Sequence, residues 1–380
     1  MKEAWRFWGF GAAVAWAAVV GPAFADVEIG GTVSAIVPAT LLDIPEKNTI
    51  ALLPKEIGGK KMSYVVLDDA TDSTQAVKNA RKLTSEDKVD ALIGSTIVPN
   101  ALAMTDVAAQ TSTLTISMAS SASIVEPLDA KRTRVFETPQ NDSLTASAIA
   151  GHMAKRGAKT VAFVGFGDAY GERWLKEFGK AAAVKRTALV ATERFAHTDT
   201  SVTGPVLKAL STWPDAVLIA GADTPAALSQ KTLKARDYTD AIHQTHGVAN
   251  NDFLHVCGKD RESTYLPAGP IVVADQFPDS NPVKPSTLAY ERAYENAYGD
   301  GTVSTLGGHA WDAALLLQRA IPIALESGQP GTPGFRSALR MARENAQDVA
   351  GPHGVFDVSA AGHAGLDERA RVKVEIAGGQ

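Results

Sequence analysis

Apolar, β-branched runs alternate with stretches of helical periodicity along most of the chain. "SYVVLDD" (63–69) predicts a strand, and "STQAVKNARKLTSEDKV" (73–89) predicts one helix with Ala76, Val77, Ala80 and Leu83 on its buried face. "DALIGS" predicts the next strand, "NALAMTDVAAQ" a helix and "LTISM" a strand. After Gly151 the pattern restarts with strand "KTVAFVGF", helix "YGERWLKEFGKAAAV" and strand "TALVATERF". It then runs through helix "VTGPVLKALST", strand "DAVLIAG", helix "PAALSQKTLKARD" and strand "DAIHQ". Strand–helix alternation gives parallel sheets covered by helices on both faces. Its occurrence twice, with "FETPQND" (136–142) between, predicts an α/β protein of two doubly wound, Rossmann-like lobes.

The boundary is not one linker. Two long amphipathic helices, "PSTLAYERAYENAY" and "GGHAWDAALLLQRAIPIALES", follow "GPIVVADQF" and need a sheet to cover. If they complete the first lobe, the chain crosses between lobes more than once. No repeat of 20 to 50 residues is present, which excludes a solenoid.

The first 25 residues stand apart. Lys2 and Arg6 precede an apolar run from Phe7 to Val20, and Ala23-Phe24-Ala25 comes before Asp26, the order of a cleaved secretory signal peptide. The apolar run is shorter than the roughly 20 residues that span a bilayer. An exported, periplasmic chain is therefore expected. The whole sequence carries a formal charge of −5, and removal of Lys2, Glu3 and Arg6 leaves −6. Mild acidity argues against a nucleic-acid partner. Cys257 is the single cysteine, which excludes an intrachain disulfide and a cysteine-based metal site.

In open α/β sheets, ligands bind beyond the carboxyl ends of the strands. Five loops hold that position: "GSTIVP" (94–99), "SMASSAS" (117–123), "GFGDAYGE" (165–172), "AGADTP" (220–225) and "THGVAN" (245–250). They are small and hydroxyl-bearing, and several open a helix, where free N–H groups and the helix dipole favour anions. Any one serine or threonine there serves equally as a cap. Together the five predict a cleft for a small anion, most simply a carboxylate.

Sharper chemistries fail on their own terms. "GFGDAYG" with Glu193 further on is loosely a dinucleotide fingerprint, but Gly171 comes one residue too late. No G-x-S-x-G, H-E-x-x-H or P-loop is present. His243 and His246 lie three apart across a strand end and share no helical face, so no metal is expected. No cofactor is expected either, and an exported enzyme is the less favoured reading.

The order of "DDATDSTQAVKNARKL", "ALIGS", "LTISMASSAS", "FETPQND", "DAYGERW", "DAVLIAG", "THGVANNDF" and "GGHAWDAALLL" resembles the leucine/isoleucine/valine-binding family, the type I periplasmic binding proteins of ABC transporters. The resemblance covers nearly all of the chain after residue 25. It implies two lobes joined by three crossings, closure on a small ligand, and delivery to a membrane permease by what is expected to be a monomer. The division it implies is 26–140 for the first part of lobe one, 141–270 for lobe two, 271–366 for the second part of lobe one, and 367–380 for a last crossing into lobe two.

By the same resemblance, Ser121 is the hydroxyl that holds a ligand carboxylate, with Ala119 offering backbone and Ser120 a further donor. Val98 falls where a serine or threonine is usual, leaving Ser95 or Thr96 to substitute. Tyr170 matches a pocket-lining tyrosine. His246 takes the position where amino-acid binders carry an acid for the ammonium, which points to a ligand without an α-amine, since a buried ammonium needs an anionic partner. Leu42 replaces a common tyrosine and leaves a more apolar wall. Ala222 and Asp223 occupy the neighbouring loop, and Asp223 would restore amino-acid binding if it faced the cleft. An aromatic or other hydrophobic organic acid is favoured over a branched-chain amino acid.

Overall fold

The computed structural model describes residues 26–35 and 40–378, without the side chains of 40–43. The expected signal peptide, 1–25, and the Leu42 side chain lie outside the described residues. The first sheet is built from β1 (Val27–Val33), β2 (Glu56–Ile57), β3 (Lys60–Asp68), β4 (Ala91–Gly94), β5 (Leu114–Ser117) and β6 (Val135–Glu137), in the order β2-β3-β1-β4-β5-β6. Only the β2–β3 pair is antiparallel.

The second sheet contains β7 (Thr160–Phe166), β8 (Ala188–Phe195), β9 (Ala216–Ala220), β10 (Ala241–Gln244) and β11 (Thr264–Ala268). A hairpin of β12 (Val349–Gly351) and β13 (Gly354–Phe356) comes next in the chain, and β14 (Val372–Ile376) then returns to pair antiparallel with β11. The order is β14-β11-β10-β9-β7-β8.

The apolar runs account for the inner strands: every residue of β4, β5 and β9 is buried, as strands covered on both faces require. β8 lies at a sheet edge and alternates, burying fully only Phe195. The two late helices, Val283–Tyr298 and Thr305–Leu325, belong to the first lobe. Leu316, Leu317 and Ile321 share one core with Val27, Ile29, Ile93 and Ile116. The segment expected as one helix over 73–89 is α-helical only from Ser73 to Arg81 and widens to a π turn over Lys82–Glu86. There the Thr84 hydroxyl donates to the Ala80 carbonyl and loosens the regular ladder.

The connections between lobes meet at one place. Gln140, just after β6, donates through Nε2 to the carbonyls of Ala370 (2.6 Å) and His353 (3.3 Å). Gly269, leaving β11, lies so close that a Cβ there would come 2.5 Å from the His353 ring and 3.0 Å from Gln140 Nε2. Only a glycine passes.

Candidate functional site

The carboxyl ends of β4, β5 and β7 to β10 converge on a cavity between the lobes. The β4 turn depends on Gly94, whose φ is +118° and where a Cβ would lie 2.1 Å from the Thr32 carbonyl oxygen. The helix Ala169–Val184 can start directly after β7 because Gly171 has no Cβ to strike the Phe166 carbonyl oxygen, 1.8 Å away. That close start brings Tyr170 to the cavity.

The cavity measures about 60 Å³ and is walled by Ile97, Val98, Met118, Phe166, Ala222 and Leu306, among others. That is several times the space one water needs, suited to a small solute. The lobes are in contact around it. Ile97 and Leu306 of the first share a core with Phe166, Ala222 and Val248 of the second, and Tyr170 packs against the cluster of Val98 and Ala101. A wider hollow of about 570 Å³, lined by Val248, Leu254, Ile271, Glu291, Thr305 and Val374, holds none of the expected binding residues among those described.

Of those expected residues, Thr96, Val98, Ser120, Tyr170, Ala222 and His246 line the cavity. Ser95, Ala119, Ser121 and Asp223 do not. Ser95 is fully buried, and its Oγ accepts from the Ile97 amide of its own turn. The Ala119 amide donates to Ser117 Oγ at 3.1 Å, so it does not offer the expected backbone group. Ser121 donates to Asp142 Oδ2 at 3.2 Å and contacts Ser123 at 2.8 Å, which turns its hydroxyl away from the cavity. Asp223 opens the helix Asp223–Lys234 with φ +52°, buried outside the lining.

The polar groups that do line the cavity are mostly engaged with the protein. Thr96 Oγ1 donates to the buried Glu46 carboxylate, and Ser120 Oγ donates to the Gln140 carbonyl. Tyr170 donates to Thr245 Oγ1 at 2.7 Å, and burial pushes its phenol well above the ordinary range. His246 is half-buried, with its ring 5.9 Å from that of Trp174. Burial, aided by nearby His353, brings its imidazole down to about 4, so it is neutral at pH 7.

Sequence reasoning missed four lining residues with strong side chains. Phe166 ends β7 and stacks on His197 with ring centroids 3.7 Å apart. His197 Nε2 lies 3.1 Å from Asp168 Oδ2, and Asp168 Oδ1 accepts from the Gly171 amide at 3.0 Å. His309 enters from the helix Thr305–Leu325. The loop after β8 also sits at a strand's carboxyl end, a signal that points to His197. His309 stands in "GGHAWDAALLL", where its neighbours read as plain helix core.

His309, Asp312 and His353 hold possible metal-ligand atoms within 4.8 Å of one another. A metal binds an imidazole through a lone pair in the ring plane, at about 2 Å. The rings of His309 and His353 are stacked at 3.7 Å with planes 20° apart, so no nearby point lies in both planes. Both His353 nitrogens are also engaged, Nδ1 with Asp312 at 2.5 Å and Nε2 with Thr305 at 2.9 Å. Asp312, His353 and Thr305 form a hydrogen-bonded brace behind the cavity, and the His309 ring stacks on it.

Two sheets bound by crossing connections, closed on a small cavity, agree with the sequence comparison: residues 23–372 match the model of the family described as periplasmic binding protein. The chain belongs to the periplasmic binding protein family. Its fold is the two-lobed type I form, and the family is one of binding proteins, not enzymes.

An extracellular ligand-binding receptor from Rhodopseudomonas palustris HaA2 is 43% identical, with 93% of this chain and 98% of that one covered and a TM-score of 0.91. A solute-binding protein of an ABC transporter from R. palustris, solved with benzoate, is 21% identical over 94% of each chain, with a TM-score of 0.80. A leucine binding protein from Thermotoga maritima is 18% identical over 93% of this chain and 96% of that one, also at 0.80. No curated protein matches the sequence. Among the described residues, no helix is long and apolar enough to cross a membrane.

Proposed function

We propose that this periplasmic binding protein captures a small carboxylate, an aromatic or other hydrophobic organic acid, and presents it to the permease of an ABC importer. One observation carries the reading. Among the described residues the cavity wall is largely apolar, and the one carboxylate that lines it, Asp168, is already engaged at both oxygens by Gly171 and His197. A ligand ammonium would find no uncommitted anion there, and burying it unpaired costs several kcal/mol. The same fold serves both a benzoate complex and a protein named for leucine, so the choice between them rests on the lining. The protein acts as a monomer in the periplasm after cleavage behind Ala25.

A second reading, an amino-acid binder, is favoured by the same Asp168, whose carboxylate reaches the cavity and would pair with an ammonium on leaving His197. A thermal-shift panel on residues 26–380 separates the two. A ligand at 100 times its Kd adds about 2.7 kcal/mol, which raises Tm by several degrees in a chain of this size. Benzoate, cinnamate and aliphatic keto acids are expected to shift it. A shift with leucine, valine or phenylalanine alone would overturn the acid reading.

A further inference from the structure

We infer that His246 and His309, one from each lobe, form the anchor for the ligand's anionic group and take up a proton between them as it binds. The inference rests on the carboxylate reading above. His246 begins the turn after β10, and His309 projects from the first-lobe helix Thr305–Leu325; both line the cavity. Neither ring makes a hydrogen bond to any described residue, and the Nδ1 atoms of both are buried and without a partner. The other polar side chains of the lining each have at least one partner within the protein: Glu46 for Thr96, Gln140 for Ser120, Thr245 for Tyr170, and each other for Asp168 and His197. The hydroxyl and amide expected to clamp the anion face Asp142 and Ser117 instead.

Among the described residues no lysine or arginine lines the cavity, so an anion entering it meets no standing positive charge from them. The two imidazoles supply it on demand. Burial keeps both neutral in the empty cavity, with His353 opposing charge on each and His246 opposing charge on His309. An anion between them reverses the balance by favouring the cationic form. Their mutual repulsion limits the pair to about one proton.

The other titratable groups nearby are committed. Asp168 faces His197, and Asp312 behind His309 is held by His353. Glu46 holds Thr96, and Tyr170 stays protonated. Binding is then carboxylate plus protein plus one proton from solvent giving the complex. Because the two rings come from opposite lobes, the shared anion also holds the cleft shut.

The test is calorimetric titration of the mature protein with benzoate, cinnamate and leucine at pH 7, in phosphate and in Tris. The two buffers absorb very different heats on giving up a proton. Uptake is expected to approach one proton per acid bound, with acid affinity falling as pH rises from 6 to 8. His246→Gln and His309→Gln should each abolish the buffer dependence and weaken acid binding roughly tenfold to a hundredfold, the loss of one charge-assisted contact. Far-UV circular dichroism confirms that each variant folds. Acid binding without proton uptake, or unchanged in both variants, overturns the anchor and leaves the acid reading standing. Leucine binding with the same uptake, in place of acids, keeps the anchor and overturns the acid reading. Failure of every ligand to bind overturns both.

Discussion

Ser121 donates its hydroxyl hydrogen to Asp142 Oδ2 at 3.2 Å, and Arg173 of the second lobe reaches the same oxygen at 3.1 Å. The serine that resemblance places on the ligand is thus part of a buried strut between the start of the helix Asp142–Lys155 and the Arg173 guanidinium. Burial raises the Asp142 carboxyl, and Arg173, the Ala122 amide and Ser121 pull it back down. Ser121→Ala should therefore lower stability by about 1 to 3 kcal/mol, the range for leaving a buried acceptor short of a donor. Ligand affinity should stay within about threefold. Chemical denaturation and calorimetric titration measure the two, and a tenfold loss of affinity with unchanged stability would restore Ser121 to the ligand.

Asp168 ties the cavity rim to the helix behind it. Burial raises its carboxyl, but the bonds from His197 and the Gly171 amide outweigh that and hold it below the usual range. A depressed carboxyl stabilises the fold above its unfolded value near 4, and that contribution is lost as pH falls through the folded value. Asp168→Asn keeps the helix cap and removes the charge. It should flatten the acid limb of a Tm-against-pH curve below pH 4, with acid binding preserved or tightened. Loss of acid binding in this variant would show that His197 needs Asp168 to hold the ligand.

The fold was legible because parallel strands buried on both faces leave unbroken apolar runs such as "AVLIA", and the five loops at their ends could be read off in order. His246 was found the same way. The directions of side chains were not legible. Ser121 is captured by a carboxylate 21 residues away, and Asp168 meets His197 across 29 residues because β7 and β8 are neighbours in the sheet. Strands β11 and β14 are short, and β14 pairs only after the chain has left and re-entered the lobe, so periodicity carried no trace of it.

His152 and His243 form a second histidine pair, outside the cavity lining, with Nδ1 of the first 2.9 Å from Nε2 of the second. Burial lowers His243 to about 3 and His152 to about 4, with Arg156 and Lys373 adding to the effect. A histidine held neutral in the fold binds fewer protons than in the unfolded chain between about 6.5 and its folded value. Stability therefore falls as pH drops through that window. Replacing His243 by Gln should remove part of the Tm decline between pH 6.5 and 4. An unchanged slope would assign the acid sensitivity to the cavity histidines instead.

Tyr170 separates shape from hydrogen bonding at the ligand. Its hydroxyl donates to Thr245, which in turn donates to the Gly221 carbonyl at 3.2 Å, so the phenol braces two loops of the second lobe. Tyr170→Phe should cost about 1 kcal/mol of stability and leave acid affinity within about threefold. Tyr170→Ala removes the wall itself and should weaken binding well beyond that. A Phe variant that binds as poorly as the Ala variant would place the hydroxyl on the ligand.

Arg343 is the least expected residue of the first lobe. Its side chain is fully buried, lies 5.0 Å over the Phe136 ring, and has no hydrogen-bond partner at any of its three nitrogens. Burial lowers its guanidinium to about 9. A base whose folded pKa is depressed penalises the fold at every pH below that value, so the cation is a net cost under neutral conditions. The stacking on Phe136 returns part of it, about 1 to 2 kcal/mol for a desolvated pair. Methionine keeps most of the aliphatic stem and the contact with the ring while removing the buried charge, the kind of exchange that gains about 1 to 4 kcal/mol. Arg343→Met should therefore raise Tm with no change in ligand affinity, whereas Arg343→Ala should lower it by leaving a void beside Phe136. A methionine variant less stable than the parent would mean that the guanidinium has a partner, such as a buried water or anion, that offsets its burial.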